Sequence, residues 1–162
     1  LKSYSGKHVE IVNTDAEGRL ILADSIAYSK KFKPKAIIDI ATLTGGAGYI
    51  FNNLAIVTMG NNQKLKKKFN KSCQETGEKV WDLPLWNDYR ELLNSEVADI
   101  KNVSYVERAG TIVAGMFLNE FVPPNTDWLH LDIAGVSFEE DSVHHGATGA
   151  SILSIFECIK NL

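Results

Sequence analysis

Cysteine is scarce in this chain, an excess of charge of one sign is missing, and no apolar run is long; each shortage excludes something. The two cysteines, Cys73 and Cys158, form no C-x-x-C pair and sit in no nucleophile context. They fall in segments that read as helices, as reduced thiols of the kind usual in a cytosolic protein. The 17 basic and 20 acidic residues nearly cancel, so whole-chain charge argues for neither a nucleic acid nor an anionic membrane partner. No apolar run reaches the roughly 18 residues that a membrane-spanning helix needs. The opening "LKSYSGKHVE" has no hydrophobic signal core and no starting Met. The expectation is therefore a processed chain or an excised piece. There is no G-x-S-x-G, so a serine-hydrolase elbow is unsupported.

What is present is ordinary for a soluble globular protein: 44% hydrophobic and 23% charged residues in a chain of 162. That length suggests one domain. "HVEIV" (8–12) alternates apolar and polar, as a strand with one buried face does. A helix follows from near Gly18 and ends before Pro34, because the residue before a proline is pushed out of the helical region. The β-branched run 36–43 reads as a buried strand, 44–48 as the loop after it and 54–59 as another buried strand. A lysine-rich helix covers 62–78, and 81–86 ("WDLPLW") is a connector. A helical segment begins at 88. Small and apolar residues make a helix of 109–121, ended by Pro123 and Pro124. Then come a strand at 128–134 and a helix at 148–159. Strands alternating with helices predict a three-layer α/β/α domain with a mixed, mostly parallel sheet.

The densest chemistry lies in "NTDAEGRL" (13–20). Asp15, Glu17 and Arg19 follow a strand directly, and open α/β sheets bind ligands beyond the carboxyl ends of their strands. Were this segment extended, Asp15 and Glu17 would share a side. Two close carboxylates repel unless a cation lies between them. Arg19 or a divalent metal could be that cation. Gly18 permits a tight turn whose amides, with the helix start, make an anion-binding concavity. The bland alternative is a pair of exposed acids beside a helix N-terminus.

Other candidates are weaker. The run 44–48 ("TGGAG") fits no phosphate-binding motif and reads as a tight turn. His144 and His145 are adjacent, so on an extended chain they point apart and chelate poorly. His130 and Asp132 share one face of their strand, His130 as a core histidine hydrogen-bonded locally. Lys64, Lys66, Lys67, Lys68 and Lys71 read as a solvated helix face. They are too small a patch for nucleic acid.

Taken in order, several segments resemble the leucyl aminopeptidase family, the di-metal cytosol aminopeptidases. They are "NTDAEGRLILADS" (13–25), Lys33-Pro34-Lys35, "DIATLTG" (39–45), "ETGEKVWDLPL" (75–85), "ADIKNV" (98–103), "FLNEFV" (117–122), "WLHLDIAG" (128–135) and "GATG" (146–149). The resemblance implies removal of N-terminal residues, leucine often favoured, from peptide substrates. It implies two divalent ions (zinc, manganese or magnesium) that bind the substrate amine and carbonyl and a water. Asp15 would ligate one ion through its carboxylate and backbone carbonyl, and Glu17 would bridge both. Arg19 would hold a bicarbonate acting as general base, helped by amides near Ala16, Gly18 and Leu43. Thr42, Leu43 and Gly45 would touch the substrate backbone, while Ala134 and Ser137 would line the side-chain pocket. A cytoplasmic homo-hexamer is implied for the full-length parent.

The family's remaining metal ligands, a lysine and two aspartates, lie upstream of "NTDAEGRL", as does a lysine that polarises the scissile carbonyl. About a dozen residues precede the motif here. The chain therefore reads as the C-terminal portion (1–162) of the catalytic domain, an incomplete fragment of a zinc-peptidase-like fold without the N-terminal domain. Alone it is expected to be inactive and empty of metal. Tyr105 to Arg108 stands where many relatives carry a glycine-containing turn, and 151–153 lacks an arginine that relatives carry. Two readings from other classes remain: a non-catalytic assembly or scaffold module, and a phosphate-binding α/β domain using Gly45 and Gly46.

Overall fold

A computed structural model describes residues 1–106, 108–140, 143 and 145–162. The strands are β1 (Val9–Glu10), β2 (Ala36–Ala41), β3 (Ile56–Gly60), β4 (Val80–Asp82), β5 (Ile100–Lys101), β6 (Asp127–Asp132), β7 (Phe138–Glu139) and β8 (Gly146–Ala147). The helices are α1 (Glu17–Ser29), α2 (Gly45–Phe51), α3 (Gln63–Thr76), α4 (Asn87–Glu91), α5 (Gly110–Asn119) and α6 (Ile152–Lys160). Short 3-10 turns, Thr14–Ala16 and Lys30–Phe32, flank α1.

The main sheet runs β2-β6-β3-β4. β2 and β6 are parallel, as are β3 and β4, whereas β3 and β6 are antiparallel. β1 and β5 form a separate parallel pair. Side chains along a strand alternate between faces, and β6 shows what that does. Trp128 packs into one core with Ile26 of α1 and Val113, Met116 and Phe117 of α5. Leu129 and Leu131 pack into the other, with Leu65, Phe69 and Cys73 of α3 and Cys158 of α6. The result is the expected three-layer α/β/α arrangement with a mixed, mostly parallel sheet.

Local chemistry explains the helices that hold these layers. The Asn62 side chain caps α3, accepting from the N–H groups of Lys64 (2.8 Å) and Leu65 (2.9 Å). Gly77, at φ 78°, closes it in the left-handed conformation. Leu65, Phe69, Ser72 and Cys73 form its buried stripe. α5 is buried nearly all round, from Val113 to Leu118. At Gly115 a β-carbon would collide with the Met59 side chain, so the helix lies against β3 as its small residues allow.

Several sequence expectations need correction. The run 44–48 is not a loop: Thr44 caps a helix that starts at Gly45, its Oγ1 accepting from Ala47 N–H at 3.3 Å. Tertiary contact overrides the poor helix propensity of glycine there. Residues 80–82 are an edge strand rather than the start of a connector, and β5, β7 and β8 had no sequence signal because each has two residues. The final helix begins at Ile152, since 146–147 pair with 138–139. Lys66 is buried and joins Asp82 at 2.8 Å, so the lysine face is not wholly solvated.

Candidate functional site

The opening acids do not sit on an extended chain. Asp15 lies in the 3-10 turn and Glu17 is the first residue of α1, so the argument from alternating strand sides does not hold. Both are exposed. Asn13 caps the turn, its Oδ1 accepting from Asp15 N–H at 2.9 Å. Among the described residues neither carboxylate accepts a hydrogen bond or joins an ion pair. The dipole of α1 favours negative charge at this end. Two exposed carboxylates with free oxygens are hard ligands that suit a divalent ion. They are two ligands only: no group of three or more His, Cys, Asp or Glu able to hold a metal exists among the described residues.

Arg19 does not pair with either acid. It is 8% exposed, and its Nη1 donates to the Asn102 carbonyl at 2.7 Å. Burial draws its guanidinium down to a pKa of about 10, while the Asp132 carboxylate pulls it back up. It remains a cation at neutral pH. It lines a cleft of about 360 Å³ together with Asn13, Ser104, Tyr105, Arg108 and Gly110.

Asp132 is the residue that sequence reasoning undervalued. β2 and β6 are parallel neighbours whose last pair is Ala41 with Asp132, so the loops after them leave side by side. Asp132 is 1% exposed, and a buried carboxylate must be hydrogen-bonded or paired. It accepts from Leu43 N–H (3.1 Å), Ala134 N–H (3.2 Å) and Thr44 Oγ1–H (2.7 Å). Thr44 Oγ1 lies 2.8 Å from Thr111 Oγ1. With its own proton given to Asp132, Thr44 accepts from Thr111. One carboxylate thus ties 43–44, Ala134 and α5 together beside Arg19. The signal was present: an acid closing an apolar strand needs donors, and loop amides are the ready source.

The other expected site residues differ in exposure. Thr42 and Gly45 are exposed, while Leu43, Ala134 and Ser137 are half-buried. The Leu43 N–H is committed to Asp132, and Ala16 N–H makes a long 3.4 Å bond to Asn13 O. Gly18 has open space where a β-carbon would stand. Gly46 is closed off, because a β-carbon there would lie 2.5 Å from Thr111 Oγ1. Gly46 is therefore a packing contact.

His130 is only half satisfied. Its Nδ1 lies 2.6 Å from Asp39 Oδ1, across the sheet rather than local, and Trp128 Nε1 donates to Asp39 Oδ2 at 2.6 Å. His130 Nε2 has no partner. Of the His144-His145 pair, His144 lies outside the described residues, as does Glu107; His145 stands edge-on to Phe138 at 5.1 Å. The second missed residue is Asn102, fully buried between the two strands of the small sheet and the motif.

Comparison with known proteins bears on this arrangement. Residues 1–156 match the family model described as cytosol aminopeptidase family, catalytic domain. The chain is 45% identical over 165 residues to a protein of Geotalea uraniireducens (strain Rf4) named "Probable cytosol aminopeptidase", covering 100% of this chain and 33% of that protein. Proteins of the same name from Geobacter sp. (strain M21) and Geobacter sulfurreducens are 46% and 44% identical, each over 99% of this chain. The chain spans about a third of the length of these relatives. A match over nearly the whole chain places it plainly: it belongs to the cytosol aminopeptidase family, within the catalytic domain.

Proposed function

We propose that this chain is the part of a di-metal aminopeptidase that carries Asp15, Glu17 and Arg19 of the active site. The observation that supports it most is the contrast between them. Asp15 and Glu17 present carboxylates that no described residue claims, while Arg19, on the same helical turn, is buried and fixed by Asn102. Exposed free ligands beside a held cation suit a site that takes metal on one side and an anion on the other. Zinc, manganese or magnesium, two ions per full-length chain, is the expected cofactor, with the remaining ligands outside this chain. Such ions, when bound, supply Lewis acidity and a water acidified to near neutrality.

The chain's own residues have separable tasks. Asp15 and Glu17 hold the metal. Arg19 keeps a bicarbonate in the site, helped by amides near Ala16, Gly18 and Leu43, of which the Leu43 N–H itself is held by Asp132. The backbone at Thr42, Leu43 and Gly45 guides the peptide main chain, and Ala134 and Ser137 bound the side-chain pocket. Asp132 fixes these two loops to each other, so the peptide and the anion meet in one geometry. The substrate is a peptide with a free N-terminus, leucine-type, and the full-length protein is a cytoplasmic homo-hexamer.

The test compares this chain with the polypeptide extended to its relatives' length, using leucyl p-nitroanilide with added manganese or zinc. The extended protein should hydrolyse it and lose activity to a chelator. The 162-residue chain alone should show little or no turnover, because its two carboxylates lack partner ligands. Efficient hydrolysis by the chain alone, or metal-independent hydrolysis by the extended protein, would overturn the reading.

A further inference from the structure

We infer that Asn102 is a positioning residue for the active site, setting the carboxylate-bearing turn and Arg19 in register with each other. This inference rests on the function proposed above.

The ladder between β1 and β5 ends at Glu10 and Lys101, with one further bond from Asn102 N–H to Glu10 O at 2.9 Å. Beyond it the chain must leave the sheet to form the turn that carries Asp15. Val12, half-buried, and Asn13 thereby lose strand partners for their backbone groups. The Asn102 side chain stands in for the missing strand. Its Oδ1 accepts from Val12 N–H at 2.9 Å and, more weakly, from Asn13 N–H at 3.4 Å. Its Nδ2 donates to Asn13 O at 2.7 Å. Two N–H groups on one side and a carbonyl on the other fix which way the amide faces.

The same residue's carbonyl receives Arg19 Nη1 at 2.7 Å. Asn102 is 0% exposed, so its own side-chain groups have no water to fall back on. The turn it holds runs straight on: Asn13 then caps Asp15 through its own side chain at 2.9 Å. One buried residue therefore fixes the approach to Asp15 and Glu17 through its side chain, and the guanidinium of Arg19 through its backbone. Asn102 is not a ligand and touches no substrate; it acts only through these neighbours.

Two variants of the full-length polypeptide test this. Asn102→Ala removes all three side-chain bonds. Asn102→Asp keeps the shape and the Oδ1 acceptor but sets a carboxylate oxygen against Asn13 O where the donor stood; the control strands and the melting temperature separate a local loosening from a failure to fold. Amide exchange is read by mass spectrometry on peptides covering 11–20, with peptides from β2 and β6 as internal controls. Steady-state kinetics with leucyl p-nitroanilide and the melting temperature are read in parallel.

The expected result is exchange about tenfold faster over 11–20 in both variants, with the control strands unaltered. In kinetics, kcat should fall about tenfold or more while KM stays within about twofold, since the loss is of alignment rather than of binding. Folded variants with unchanged exchange over 11–20, or with faster exchange but wild-type kcat, would overturn the inference. If the unsubstituted polypeptide shows no metal-dependent hydrolysis, the proposed function fails. The exchange arm then still decides whether Asn102 holds the turn.

Discussion

At the residue scale, buried polar groups carry the account. Asp132 accepts three hydrogen bonds from two loops, and removing part of that set leaves buried donors unmatched. Asp132→Asn places an amide against N–H and O–H donors and should cost about 1–3 kcal/mol in chemical denaturation. Thr111→Val, which removes only the last hydroxyl of the chain, should cost about 1 kcal/mol. The thiols give a second prediction. Burial pushes the Cys73 thiol up to about 11, against the Ser154 hydrogen bond, and burial raises Cys158 as well. Both are buried and free, so a thiol reagent should modify neither in the native protein and both after denaturation. That agrees with the sequence expectation of reduced thiols without a nucleophile context. Asp15, Glu17 and Arg19 were legible as a cluster from spacing alone, but their orientation was not. Asp15 sits in a 3-10 turn that the alternating sides of a strand do not describe, and nothing local in the sequence says that Arg19 donates to Asn102 instead of pairing with the acids.

At the element scale, the ends of helices and strands decide how the site is presented. Glu120, at the end of α5, joins Lys7 and Arg90, each at 2.7 Å. Burial pushes its carboxyl up, but the two cations and their hydrogen bonds outweigh this and hold it below the usual carboxylate value. A carboxylate with a depressed folded pKa stabilises above its unfolded pKa, about 4.3, and that stability is lost as pH falls through the folded value. Acid titration of the melting temperature should therefore be shallower below about pH 4.5 for Glu120→Gln than for the unsubstituted protein. The substitution itself should cost about 1–3 kcal/mol at neutral pH. The long helices α1, α3 and α5 and the strands β2, β3 and β6 were readable, because apolar periodicity reports burial directly. α2 was not, because two glycines of this segment serve close approach: a β-carbon on Gly46 would lie 2.5 Å from Thr111 Oγ1, and one on Gly135 would lie 3.0 Å from Gly48 Cα. Of the two-residue strands, β1 was read within the alternating run 8–12, whereas β5, β7 and β8 carry too little pattern to read and their pairing is set by distant partners.

At the scale of the whole molecule, the sheet leaves β2 as an edge strand with Ile40 exposed. Ile152, Phe156 and Ile159 form an apolar stripe on the outside of α6, each about 60% exposed. Contiguous exposed apolar surface of this kind favours association, so the isolated chain should sediment as more than a monomer at micromolar concentration. No helix among the described residues is long and apolar enough to cross a membrane. The central claim is that Asp15 and Glu17 are metal ligands, completed by residues outside this chain. Manganese titration by calorimetry tests it most directly, on the polypeptide extended to its relatives' length and on its Glu17→Gln variant. The account predicts two ions per chain in the unsubstituted protein, loss of at least one in Glu17→Gln, and a fall in hydrolysis of about a thousandfold or more. A Glu17→Gln protein that binds the same number of ions with the same affinity and hydrolyses at the unsubstituted rate would contradict it.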